Sequence, residues 1–367
     1  MPPYYTLIRN ANELMNKGPW TVMSKPMTPP SGSKHDYESL GSYWWPCNNA
    51  TFQPTSHCNR TTGLPWVRRD GEHNPETDRF DSPSLGAMTS AVVIFVLKTL
   101  SQAYFFSDNE SYAERAVFFL KTWFLNESTF MHPNMNYAQM IPGVTDGRGI
   151  GIIDTGRWYA LIDAFGLLDG SKSLSDDDQA RLLNWYRSYV EWLWTSKNGK
   201  DEYHATNNHG TWYDTQFQSC ALFIGNMSAA KMVADKVIDK RIKVQIEPNG
   251  SMPLEERRTK SKSYCTMNLQ GLFNLASVAK YSGIELFNYT SSDGRGIRQA
   301  FEFMVPYAIG EKAWPYEQIT SYSWGSMFEL FRRASIEYQN PTYEQMISKL
   351  PDINPDNVIN LLYPKLY

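Results

Sequence analysis

The chain has 367 residues, 42% of them hydrophobic and 20% charged, with a formal net charge of -3. This length and composition bury a large core, and no Ser/Gly linker or charge run divides the chain, so a single domain over residues 1–367 is expected. The acidic balance argues against a nucleic-acid binder, which would show a basic excess, yet a local cluster of arginines still lets such a surface hold a polyanion.

The opening MPPYYTLIRN has neither the basic nor the apolar region of a signal peptide. Residues 24–76 (SKPMTPPSGSKHDYESLGSYWWPCNNATFQPTSHCNRTTGLPWVRRDGEHNPE) are rich in Pro, Gly, aromatics and charge, without helical period. A segment this long without regular structure is usually functional or disordered. Its aromatics and a Cys47–Cys58 bridge favour order, so residues 1–84 are expected to form a loop-rich wrap over the mouth of a cleft.

From Leu85 onward the apolar spacing is 3.6 rather than 2. SLGAMTSAVVIFVLKTLSQAYFF starts behind a Ser84 cap, and NESYAERAVFFLKTWFL and IIDTGRWYALIDAFGLL follow. SDDDQARLLNWYRSYVEWLWTS opens with Ser175 as cap and acids in its first turn, where the helix dipole favours them. GTWYDTQFQSCALFIG, SAAKMVADKVIDKRIKVQI, YCTMNLQGLFNLASVAKYSG, GRGIRQAFEFMVPYAI and SWGSMFELFRRASIEYQ complete the series. The longest apolar run, residues 91–97, is a core helix segment and no membrane span. Helices of similar length joined by short polar turns, with no repeat period, predict an all-α fold: an (α/α) toroid of helical hairpins over residues 85–367, its site in the central cleft.

Three polar stretches carry the chemistry. The first is NNHGTWYDTQFQSC (207–220), with Asn207, Asn208, His209 and Trp212 at a helix start. The second, residues 247–273, turns through Pro-Asn-Gly, shows Arg257 and Arg258, and delivers Tyr264 to an apolar helix. The third, residues 131–158, holds Asn134, Asn136 and Gln139. Together they fit removal of a proton alpha to a carboxylate. Such a proton is weakly acidic because its loss builds a second negative charge on the same group. Amide, imidazolium or guanidinium donors stabilise that anion. A tyrosine whose pKa is lowered by a nearby Arg takes the proton and returns one to the leaving oxygen. His204 and His209 lack the i, i+4 zinc spacing and no Cys or Glu completes a ligand set, so neither a metal nor any cofactor is expected.

The blocks KPMTPPSGSKHDYESLGSYWWP, GLPWVRRDGEHNPE, MHPNMNYAQMIPG, NNHGTWYDTQ and EPNGSMPLEERRTKSKSY, in this order, resemble those of the alginate lyase superfamily. The likeness is to its helical-toroid branch, nearest polysaccharide lyase family 38 and more distantly family 5. The resemblance implies Tyr264 and His209 as the catalytic pair, with Asn208 and Arg258 on the substrate carboxylate. It implies a further contact there from Asn134 or Asn136. WWPCNN departs from the uninterrupted Trp-Trp-Pro loop of relatives, and Arg257 beside Arg258 leaves two arginines for one role. The residue types add Gln139, Asn207, Trp212, Tyr43, Trp44, Trp45, Arg68, Arg69 and Arg257 as substrate-binding candidates. His35 is weaker, and the Arg68-Arg69 pair has Asp70 and Glu72 as alternative partners.

The expected activity is β-elimination on a 1,4-linked polyuronate, mannuronan or glucuronan, with the polymer as partner of a monomer and no nucleic acid or membrane. Two rivals stand beside it. A glycoside hydrolase on a similar toroid would need two carboxylates, for which Asp214, Glu255 and Asp154 are available. A non-catalytic carbohydrate-binding protein would keep only the aromatic cleft. Asn-x-Ser/Thr patterns at Asn49, Asn59, Asn109, Asn126, Asn226 and Asn288, and a second cysteine pair, Cys220 and Cys265, suit a secreted glycoprotein supplied without its leader.

Overall fold

The computed structural model describes residues 2–46, 66–77 and 89–366. Ser84, Cys47, Cys58, Asn49 and Asn59 lie outside the described residues. Helix α1 (Pro2–Leu14) forms inside the segment expected to be loop. Its first turn holds two prolines, whose missing N–H groups are not needed there, and Leu7, Ala11 and Leu14 make a buried stripe at i, i+4 and i+7.

The described chain falls into two compact units, one of residues Glu13–His204 and one of Met1–Asn12 with Ala205–Tyr367. The unit of residues 13–204 contains short strands among its helices. Strand β1 (Glu38–Leu40) pairs in parallel with β4 (Tyr137–Met140), with Glu38 opposite Tyr137 and Leu40 opposite Met140. Strand β2 (Trp44–Pro46) pairs antiparallel with β3 (Trp66–Arg68), placing Trp45 opposite Val67. Three- and four-residue strands leave too little alternation to be read from sequence.

Helix α2 (Thr89–Ser107) packs on α3 (Glu110–Phe124), which is capped by Asn109 accepting from the Ser111 N–H at 3.1 Å. Residues Gly149–Trp158 wind as a 3-10 helix before α4 (Tyr159–Gly166). The tight winding brings Gly151 onto Ala138, where a Cβ would lie 2.4 Å from the carbonyl oxygen. Helix α5 (Asp176–Thr195) starts at the expected Ser175 in a capping box with Asp178, and α6 (Lys197–Tyr203) follows behind a Ser196 cap. The core of this unit is aromatic. Phe124 meets Trp185 edge-on at 4.8 Å, with Trp158 and Tyr186 each 5.7 Å away.

In the other unit, α7 (Asn208–Phe223) lies against α11 (Ser261–Lys280). Their close approach is set by Gly271, where a Cβ would press on Thr211 and Trp212 at 3.0–3.2 Å. Helix α8 (Met227–Ala234) opens at an Asn226 cap. The stretch SAAKMVADKVIDKRIKVQI, expected as one helix, instead divides into α8, a π-helical turn (Ile238–Ile242) and the short α9 (Lys243–Gln245). Helices α10 (Pro253–Glu256), α12 (Ile297–Ala308), α13 (Phe328–Glu337), α14 (Pro341–Met346) and α15 (Ile359–Leu362) complete the unit. Leu269, Leu272, Phe273, Phe301 and Phe331 anchor its core, and Phe301 meets Phe331 edge-on at 5.0 Å. Among the described residues no helix is long and apolar enough to cross a membrane.

Candidate active site

Helix α7 begins at NNHG, and its start is held from below. The Asn207 carbonyl accepts from Gly210 N–H at 3.0 Å and from Gln245 Nε2 at 3.1 Å. Gln245 Oε1 in turn accepts from Thr211 Oγ1 and Asn268 Nδ2, both at 2.9 Å. One turn further, Asp214 takes a bidentate bond from Arg241, at 2.8 Å from Nε and 3.0 Å from Nη2, and Arg241 Nη1 reaches the Ala205 carbonyl at 2.7 Å. Both members of this pair are fully buried, with every strong donor placed, which is the condition for a buried ion pair to hold. Gly210 is sterically obligatory, because a Cβ there would sit 2.2 Å from the Ala205 oxygen and 2.4 Å from Arg241 Nη1. The site histidine therefore stands on a rigid helix start.

Asn208 is fully buried. Its backbone N–H donates to Glu255 Oε1 at 2.7 Å, and its Nδ2 donates to both Glu255 oxygens at 2.9 and 2.8 Å. Its Oδ1 meets no hydrogen-bond donor among the described residues. Burial pushes the Glu255 carboxyl above the usual range, opposed by the Asn208 bonds and by the charges of Arg258 and His209. Asn208, His209 and Arg258 thus converge on one carboxylate, which the sequence offered only as a hydrolase candidate.

Arg258 follows α10 and is half-buried, whereas Arg257 is exposed. The Arg258 guanidinium lies over the Tyr264 ring, 3.7 Å from its centroid. Tyr264 occupies the first turn of α11, which residues 314–320 pin in place. Ser261 N–H donates to the Glu317 carbonyl at 3.1 Å, Lys262 N–H to Gln318 Oε1 at 3.0 Å, and Trp314 Nε1 to Ser261 Oγ at 2.7 Å. A cation so placed is attracted to the negative face of the ring and holds the two side chains together.

The remaining candidates divide by environment. Trp212, a substrate-binding candidate by residue type, is 2% exposed and packs beside Gly271 in the helix interface. Cys220 and Cys265 are buried free thiols, not a bridge. Each fills an apolar position in its helix, as an unreactive cysteine does, and burial pushes both thiols up. His204 is exposed, its Nδ1 donating to the Lys200 carbonyl at 2.7 Å. Asn109, Asn126, Asn226 and Asn288 are exposed.

In the unit of residues 13–204, Arg68 pairs with Asp70 at 2.8 Å and Arg69 reaches Glu72 at 3.4 Å while lying over Trp45. Tyr43, Trp44 and Trp45 are half-buried. Asn134 donates to Asp36 at 3.1 Å beside His132, and exposed Asn136 accepts from Trp192 Nε1 at 2.9 Å. His35 Nδ1 donates to the Phe130 carbonyl at 2.6 Å. Gln139 has a left-handed φ of 49°, rare for a side chain of this kind and a mark of strain at functional sites. Its amide donates to Asp154 at 2.8 Å and accepts from Arg148 at 3.1 Å. Asp154 also accepts from Ser39 at 2.5 Å and Tyr37 at 3.3 Å, and burial pushes it up to about 6 despite these bonds. Arg148, which also lies 5.8 Å over Trp44, is pushed down to about 10 by burial and by nearby Arg68. The sequence reading passed over Arg148, whose one visible signal was its place in the glycine-rich DGRGIG run.

A family model described as alginate lyase matches residues 21–314. Among solved structures, an alginate lyase from Bacteroides ovatus is 36% identical, with a TM-score of 0.90 covering 100% of this chain and 93% of that one. Alginate lyase A1-III from Sphingomonas species A1 is 15% identical, with a TM-score of 0.58 covering 99% and 96%. A variant of A1-III complexed with tetrasaccharide aligns with the same TM-score of 0.58. No curated protein matches by sequence. The fold class is therefore all-α, that of the helical-toroid polysaccharide lyases. The chain belongs to the alginate lyase family, and it is a polysaccharide lyase.

Proposed function

We propose that the chain cleaves a 1,4-linked D-uronate polymer, mannuronan or glucuronan, by β-elimination. Tyr264 takes the C5 proton, the C4–O4 bond breaks as the double bond forms between C4 and C5, and Tyr264 returns the proton to O4. His209 and Arg258 neutralise the C6 carboxylate while the second negative charge builds on it. The placement of Arg258 over the Tyr264 ring carries this reading, because one guanidinium there serves both the base and the substrate anion. Asn208, with its donors committed to Glu255, acts from behind these two and not directly on the sugar.

The substrate class comes from the proteins this chain resembles, all described as alginate lyases. A hydrolase reading is weaker, since Asp214 is locked in its bidentate pair with Arg241 and Glu255 in its bonds to Asn208. Asn134, Asn136, Gln139, Asn207, Tyr43, Trp44, Trp45, Arg68, Arg69 and Arg257 remain proposed polymer contacts on their chemistry. Secretion and glycan attachment at the exposed sequons are proposed with them. The test is incubation with alginate blocks, glucuronan and related polyuronates while ultraviolet absorbance is followed. A rise marks the unsaturated ends of a lyase, and reducing ends without absorbance would sink the reading.

A further inference from the structure

Glu255 stands where the two halves of the catalytic cluster meet. It lies in α10, takes three hydrogen bonds of 2.7–2.9 Å from Asn208 at the start of α7, and its carbonyl accepts from Arg258 N–H at 3.1 Å. Its carboxylate is 1% exposed and feels the charges of both Arg258 and His209. The neighbouring carboxylates turn elsewhere: Asp214 faces Arg241, and Glu256 turns back to the Met252 N–H at 2.8 Å.

We propose that Glu255 is a positioning residue for the elimination: it clamps Asn208 and, through it, fixes the aim of His209, while its charge holds Arg258 and His209 against the substrate carboxylate. The inference rests on the lyase reading above. The backbone N–H and Nδ2 of Asn208 present donors on one side, so a full carboxylate is the group that satisfies them all. A carboxamide at the same place sets its own NH₂ against Nδ2 and leaves one donor opposed. It also removes the negative charge that favours a protonated imidazole.

The test uses the full chain as Glu255→Gln, Asn208→Ala and the double variant, with Glu255→Asp to restore the charge. Expected are a fall in kcat on the order of 10- to 100-fold, the range found when groups orienting metal ligands are removed, and KM held within about threefold. The double variant should lose little more than either single one, because the two residues act as a unit. His209, followed by NMR, should titrate at lower pH in Glu255→Gln than in the wild-type protein, and Glu255→Asp should recover part of that shift. A purely structural role would lower the melting temperature while leaving kcat per folded molecule and the His209 titration unchanged, and either of these unchanged overturns the proposal. Multiplicative losses in the double variant overturn it as well. A wild-type protein that yields no absorbing ends from any polyuronate defeats the lyase reading itself.

Discussion

Tyr264 has a ring that Arg258 packs against and a hydroxyl that moves the proton, and the two are separable. Tyr264→Phe keeps the stacked pair, so stability should stay within about 1 kcal/mol. Turnover should drop about 10²- to 10⁴-fold, the loss expected with a general acid/base, and a variant keeping most of its kcat ends the assignment. The neighbouring arginines differ in the same way. Arg258→Ala removes the charge over the ring and should lower kcat by about 10²-fold, the scale for one lost oxyanion donor. Exposed Arg257→Ala serves as its control and should change kcat little. The reverse order would move the role to Arg257. A third residue-level expectation concerns Asp154, whose folded value of about 6 exceeds the ordinary aspartate value. A raised carboxyl favours the folded state fully below pH about 4, and that contribution is lost as pH rises through 6. Denaturation midpoints of wild type should therefore fall relative to Asp154→Asn between pH 4 and 7; parallel curves would refute it. His209, Arg258 and Tyr264 could be singled out as candidates because their chemistry is written in the side chain, while the roles proposed for them came with the family resemblance. Glu255 could be offered only as a hydrolase carboxylate, because LEERR reads as a solvated charge run and only tertiary burial sets it against Asn208.

At the level of elements, the start of α7 is the least forgiving part of the site. Gly210→Ala puts a methyl 2.2 Å from the Ala205 carbonyl and against Arg241. Backbone and a buried ion pair cannot both give way, so the variant should lose about 1–3 kcal/mol, the range for overpacking, and activity should fall with it as His209 is displaced. A melting temperature equal to wild type would show that the helix start is softer than its contacts imply. The π-helical turn at Ile238–Ile242 explains why the single helix read there does not form. A π turn inserts one residue into the helical register, and it is within this turn that Arg241 reaches Asp214. Periodicity describes apolar faces and carries no sign of a buried guanidinium. The Ser175 cap, by contrast, was legible because its box of Ser175 and Asp178 is local in sequence.

For the whole molecule, the polymer's stereochemistry tests the reading as strictly as any mutation. In D-mannuronate and D-glucuronate links the C5 proton and O4 lie on the same side of the ring, so one tyrosine serves both. L-guluronate is the C5 epimer and needs a second group, for which His209 is the evident candidate. With His209 engaged at the carboxylate, mannuronan or glucuronan should be cleaved faster than polyguluronate. Faster cleavage of polyguluronate than of both would make His209 the base. The helical class was legible because amphipathic spacing survives any arrangement of the helices. The ordering of residues 2–14 as α1 was not, since only the stripe of Leu7, Ala11 and Leu14 reveals it. The residues of α1 up to Asn12 belong to the unit that resumes at Ala205, roughly 190 residues later. At translation rates of about 5–20 residues per second, the first helix emerges roughly 10–40 s before the chain it folds with begins to appear. Throughout that interval Leu7 and Ala11, buried in the finished protein, have yet to meet the rest of their unit.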